Sequence, residues 1–285
     1  MTPAGTGAAS GDEGPKPPAL RRALWWAADY VYAGRRQATI LQPPWSIGRH
    51  RPAPRPWSHG ADDLAEIVLI PGVYEHWTFL RPLGDALAAA GHRVSVVHGL
   101  GINRGGVAET SDRLGRALAQ TPAPAGGRVI VAHSKGGLIG KHLLVSSGAA
   151  SAAVIEAMTG GDPGDAAAAA PAPDASGTDD SPLGLRGVVA ICTPFRGSRR
   201  ARLLFDPSIR ALMPDDETIV MLGRESSVNG RIVSIFGRYD PHIPDGSALE
   251  GATNVQVPGF GHFRLLGAEE THRAAIEAVE LLAAT

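Results

Sequence analysis

A serine, a carboxylate and a histidine each stand just past an apolar run, and residues of these three types can together perform nucleophilic catalysis. The serine is Ser134, in the string Val129-Ile130-Val131-Ala132-His133-Ser134-Lys135-Gly136-Gly137. A hydroxyl is a weak nucleophile until a fold lifts it from the backbone, sets a base beside it and stabilises the charge created on its target. An A-x-S-x-G pattern between a strand and a helix does the lifting. The serine occupies a sharp, strained turn that crowds the residues two before and two after it, and here these are the small Ala132 and Gly136. The following helix, expected over 138–145, aims its N-terminal amides at the reacting oxygen. An S-x-x-K mechanism does not fit, because Lys135 directly follows the serine and the third position on is Gly137. Lys135 is expected to carry a surface side chain and to contribute its backbone amide.

In the chain order serine, acid, histidine, the acid ends one late strand and the base follows the next. The run RIVSIF over 231–236 reads as a buried strand, and GRYDPHIP breaks out of it, putting Asp240 in a loop stopped by proline. The alternating NVQV over 254–257 reads as a short strand, followed by Pro258-Gly259-Phe260-Gly261-His262. Asp240 and His262 are therefore the candidate acid and base. Asp245 is the main rival acid, with Asp215 and Asp216 more distant choices. Of the 10 histidines, most must be structural or solvated. His133 is expected to point away from the catalytic face and His242 to help fix the acid loop.

A third group is needed where negative charge develops. Glu66 to Ile70 is an apolar strand ending in Pro71-Gly72, where the backbone can turn an amide towards the serine. The backbone N–H groups of Val73 and Lys135 are the candidate oxyanion hole.

Strand-Pro71-Gly72, Ala132-His133-Ser134-Lys135-Gly136, Asp240 and His262 together resemble the α/β-hydrolase superfamily, in its bacterial lipase and esterase branch, over about residues 65–285. Alanine at the first motif position resembles the A-H-S-x-G form of small bacterial lipases. Cys192-Thr193-Pro194-Phe195-Arg196-Gly197-Ser198 is similar to the T-P-H-x-G-S segment of such lipases, with Phe195 where they carry histidine. The resemblance implies a mostly parallel sheet flanked by helices, with a cap or lid insertion. It also implies hydrolysis of a small-molecule or lipid ester through an acyl-enzyme. No cofactor is implied, and because the calcium-site acids of the larger lipase groups have no match, no metal either. A thioesterase or acyltransferase acting on carrier-bound acyl groups, and a non-catalytic hydrolase-fold binding protein, stay open as alternatives.

The remaining elements must position these groups. The 285 residues accommodate one α/β domain with additions, expected as an N-terminal extension over 1–60 and a catalytic domain over 61–285. Residues 1–18 are rich in Gly, Pro and Ala and are expected to be disordered. Trp25, Trp26, Tyr30 and Tyr32 sit in a helix candidate flanked by Arg21-Arg22 and Arg35-Arg36, expected to pack its aromatic side on the core. Its uncharged run is too short to span a membrane and Asp29 interrupts it, although peripheral contact with lipid stays open. A Pro/Arg-rich linker follows. Arg93 to Val97 reads as a strand and 110–118 as a helix. Residues 148–181, with an alanine run among Pro, Gly, Asp and Ser, are expected to be a mobile insertion. Residues 195–229 carry two apolar clusters where this superfamily places a cap. A net charge of −1 gives no field that would favour nucleic acid. The single Cys192 excludes an intramolecular disulfide and fits a reducing, cytoplasmic setting, with export left open. Oligomeric state is not legible.

Overall fold

Runs of Val, Ile and Leu that can be buried on both faces become strands of a parallel sheet, where helices cover either side. In a computed structural model, which describes residues 18–39, 52–159, 183–203 and 205–284, six strands form: β1 Glu66–Ile70, β2 Val94–Val96, β3 Arg128–His133, β4 Leu185–Ile191, β5 Ile232–Tyr239 and β6 Thr253–Phe260. Their order is β2-β1-β3-β4-β5-β6, and every neighbouring pair is parallel.

The strand alternation sorts the core into two layers. Ile67, Leu69, Val129, Val131, Val189 and Ile191 face helices α2 (Arg81–Ala89) and α7 (Glu269–Ala283). Val68, Ile70, Ile130, Ala132, Val188 and Ala190 face α3 (Val107–Leu118), α4 (Lys135–Thr159) and α6 (Glu217–Arg224). A short α5 (Pro207–Arg210) precedes α6, and α1 (Ala19–Ala38) opens the described chain.

Some elements run beyond their expected bounds. Helix α4 continues to Thr159, well into the segment expected to be a mobile insertion; the rest of that segment, like the start of the N-terminal extension, lies outside the described residues. Alanine-rich composition serves a helix as readily as a loop. Strand β6 passes through Pro258, which is tolerated because β6 pairs with a neighbour on one side only. The end of the Pro/Arg-rich linker turns into a short 3-10 segment, Arg55–Ser58, whose Trp57 is buried and donates to Asp85. Among the described residues no helix is long and apolar enough to cross a membrane.

Pro71, Ser134, Cys192, Asp240 and His262 all lie at the C-terminal ends of strands or just beyond them. In open α/β sheets that edge is where ligands bind.

Candidate active site

Ser134 leaves β3 with φ +51°, in the left-handed region that ordinary residues avoid. The strain is held from several sides. Its N–H donates to the Ile191 carbonyl at 2.8 Å, and its own carbonyl accepts from Gly137 N–H and from Thr193 Oγ1, each at 3.0 Å. Gly136 is required by close approach, since a Cβ there would lie 2.5 Å from the Ile70 carbonyl oxygen. The turn thus locks Ser134 to β1 on one side and to the β4 exit on the other.

The residues expected to act together meet in space. His262 Nε2 lies 3.0 Å from Ser134 Oγ, and His262 Nδ1 lies 2.7 Å from Asp240 Oδ2. All three side chains are buried. The second Asp240 oxygen accepts the backbone N–H groups of His242 (2.7 Å) and Ile243 (3.1 Å), so both carboxylate oxygens have partners. Burial alone would raise the Asp240 pKa, but the charge and hydrogen bond of His262 outweigh it and hold the carboxyl below its ordinary value. Burial likewise works against an imidazolium at His262. Asp240, with Asp29 and Glu75 further off, reverses that and raises the histidine pKa.

The rival acids lie elsewhere. Asp245 pairs with Arg199 and Asp216 caps α6 through Thr218 N–H, so neither reaches the histidine. The ring of His242 lies 5.0 Å from that of His262, and burial first and the neighbouring His262 second pull its pKa down to about 3.

Two expectations are corrected. Lys135 is not a surface side chain: it is fully buried, and its ammonium donates to the carbonyls of Asn103 (3.1 Å) and Gly105. The first helical position of α4 directs the side chain into the 99–106 loop rather than into water, and burial lowers its pKa to about 8. Asn103 in turn donates to the Pro71 carbonyl at 2.6 Å, linking the Ser134 turn to the Pro71-Gly72 turn. His133 does not point away from the site. Alternation along β3 sends it to the face of Val129 and Val131, where its ring lies 4.7 Å from that of His262. Its Nε2 is 3.1 Å from the His262 carbonyl oxygen and its Nδ1 is 2.8 Å from Glu75. A carbonyl only accepts, so Nε2 carries a proton and donates.

Around Val73, Glu75 Oε2 accepts the Gly72 N–H at 2.7 Å and fixes the turn. No hydrogen bond of the Val73 N–H is found among the described residues. The Lys135 N–H opens α4, where amides have no intrahelical acceptor. Phe195, at the position of the segment's usual histidine, is buried in the core layer that faces α3, α4 and α6.

One grouping among the described residues offers ligand atoms within 4.8 Å of one another, His133, Cys192 and His262. It is a poor metal site. Both histidines are engaged as described, and burial, with Asp240 next in weight, raises the Cys192 pKa well above that of a free thiol and so disfavours the thiolate a metal needs.

Sequence reasoning gave no role to Asp29 or Glu75, and named Thr193 only within the segment Cys192–Ser198, without its bond to the Ser134 carbonyl. Asp29 is fully buried in α1 and its carboxylate accepts the backbone N–H groups of His262, Phe263 and Arg264. The only signal for it was an acid on the aromatic side of an otherwise basic helix.

No protein-family model matches the chain, and none of the curated proteins matches it in sequence. Solved structures do match. The mature form of the Bacillus licheniformis lipase BlEst2 aligns over 78% of this chain and 94% of its own, with a TM-score of 0.54 at 12% identity. Aspergillus fumigatus lipase B aligns over 81% of this chain and 55% of its own, with a TM-score of 0.53 at 13% identity. The likeness is one of fold, and the fold is that of the α/β-hydrolases.

Proposed function

We propose that this chain is a serine hydrolase of carboxylic esters, lipase- or esterase-like, working through an acyl-enzyme. The observation that carries the reading is the line of hydrogen-bonding groups from Ser134 Oγ through His262 to Asp240, with links of 3.0 Å and 2.7 Å. On this reading Ser134 Oγ attacks the ester carbonyl carbon while His262 Nε2 takes its proton, and the carbonyl oxygen gains negative charge between the Val73 and Lys135 amides. His262 then protonates the departing alkoxide, leaving the acyl group on Ser134. Water, deprotonated by His262, repeats the attack and releases the acid. Asp240 accepts the hydrogen bond of Nδ1–H and steadies the imidazolium.

The segment 195–229 is read as the cap. Ser198 Oγ donates to the His242 carbonyl on the acid loop, and Asp206 pairs with Arg104 beside the Tyr74 turn, so the segment touches both rims of the site. Leu203 and Phe205 between those contacts are 76% and 95% exposed, which suits apolar substrate. That two proteins sharing the fold are lipases agrees with an ester substrate.

Hydrolysis of p-nitrophenyl esters of graded chain length, beside acyl-CoA thioesters, tests the reading. Wild type is expected to cleave the esters and Ser134→Ala to lose about 10⁴-fold or more in kcat. Full activity in Ser134→Ala would overturn it, and preference for acyl-CoA would move the substrate to thioesters.

A further inference from the structure

Helix α1 touches both loops that carry the proposed catalytic groups. On one side Trp25 stacks on Phe260 with ring centroids 3.9 Å apart, and Tyr30 lies 5.5 Å from His242 and 6.1 Å from Phe263. On the other, Arg36 donates to the Thr78 carbonyl at 2.5 Å and Gln37 to the Tyr74 carbonyl at 3.1 Å, just beyond Val73. Between these ends sits Asp29, the one acid of a helix that otherwise carries Arg21, Arg22, Arg35 and Arg36.

Burying a carboxylate is costly unless it is fully hydrogen-bonded. Asp29 meets that condition with three consecutive amides: Oδ2 accepts His262 N–H at 2.9 Å, and Oδ1 accepts Phe263 N–H at 2.9 Å and Arg264 N–H at 2.8 Å. The match is close enough to restrict the neighbouring sequence. Gly261 has φ +105°, and a Cβ there would lie 2.6 Å from Asp29 Oδ1. With His133 Nε2 on the His262 carbonyl, the peptide groups on both sides of the histidine are held from outside its own loop.

We infer that Asp29 is a positioning residue for the proposed general base, and that α1 is a working part of the active site rather than an appendage. The inference rests on the hydrolase reading, because it assigns Asp29 a role through His262. His262 stands in the short connection 261–263 between the edge strand β6 and the 3-10 turn Arg264–Gly267, and its N–H and carbonyl are bonded by Asp29 and His133, so the alignment of His262 Nε2 to Ser134 depends on these outside contacts. A displacement of about 1 Å in a reacting group can cost on the order of 100-fold in rate. Asp29 also adds negative charge near an imidazole already faced by Asp240, Glu75, His133 and His242.

The experiment compares wild type, Asp29→Asn and Asp29→Glu in full-length protein, measuring kcat, KM and the pH profile of p-nitrophenyl ester hydrolysis together with thermal unfolding. Asparagine presents one oxygen and one N–H₂ group to three donors, and it removes the charge. Asp29→Asn is expected to lose 10- to 100-fold in kcat with KM within threefold, and its acid limb is expected to move to lower pH. Asp29→Glu keeps the charge but misplaces the oxygens, so kcat falls at least tenfold while the acid limb stays. A residue with a purely structural role would lower the melting temperature and leave kcat of the folded fraction and the acid limb unchanged. Folded Asp29→Asn with kcat within twofold of wild type and an unmoved limb overturns the inference. Where Asp29→Asn does not fold, Asp29→Glu decides, and kcat within twofold overturns it equally. Wild type without esterase activity would instead remove the hydrolase reading itself.

Discussion

Replacing Gly136 by alanine adds one methyl at the tightest point of the Ser134 turn. The new Cβ would stand 2.5 Å from the Ile70 carbonyl oxygen, 3.0 Å from the Pro71 oxygen and 3.1 Å from the Ile70 carbonyl carbon. All three are backbone atoms, so no rotamer change relieves the contact. A carbon–oxygen contact relaxes to about 3.3 Å, so the end of β1 and the start of α4 must part by roughly 0.8 Å. The Val73 amide lies in the turn that follows β1, and the Lys135 amide opens α4. Overpacking of this kind costs about 1–3 kcal/mol of stability, lowering the melting temperature by several degrees. Losing one oxyanion donor costs about 10²–10³ in kcat, and a shift of about 0.8 Å places the variant near the lower end of that range. The assay is kcat and KM on a p-nitrophenyl ester beside the thermal transition, with Gly148→Ala as control: that glycine lies in the same helix with nothing within 4 Å of an added Cβ. A folded Gly136→Ala variant with kcat within threefold of wild type would show that the apposition of β1 and α4 does not set the oxyanion site.

Two further outcomes are expected. Lys135→Ala removes a fully buried stem and leaves the Asn103 and Gly105 carbonyls without their donor, and chemical denaturation should show a loss of about 2–4 kcal/mol. His242 keeps a folded pKa of about 3 against an ordinary value of 6.5, so between those values the unfolded chain binds the extra proton and stability falls as pH drops. The slope is up to about 1.4 kcal/mol per pH unit; urea unfolding at pH 7 and pH 5 should therefore show a smaller pH effect in His242→Gln than in wild type.

The inner strands β1, β3, β4 and β5 were legible because they are largely buried on both faces and so read as continuous apolar runs. Ser134 and Asp240 were legible as candidates because each follows such a run, and His262 because it follows the alternating strand at the sheet edge. Lys135 was misread because sequence marks the first position of a helix without marking which loop lies over it. His133 was misread for a related reason: strand alternation gives a side but not what the sheet's C-terminal edge folds over it. Asp29 was beyond reach, since its partners lie 233 to 235 residues away and a lone acid in an aromatic helix has no spacing to reveal them. Helix α4 passed its expected end because the alanines that suggested an unstructured insertion are also the best helix formers.

Treating the purified chain with a fluorophosphonate and locating the adduct by peptide mass spectrometry reads out the nucleophile itself. One adduct on Ser134 is expected, formed far more slowly in His262→Ala. No adduct on the folded protein, or an adduct on a different serine, would contradict Ser134 as the nucleophile.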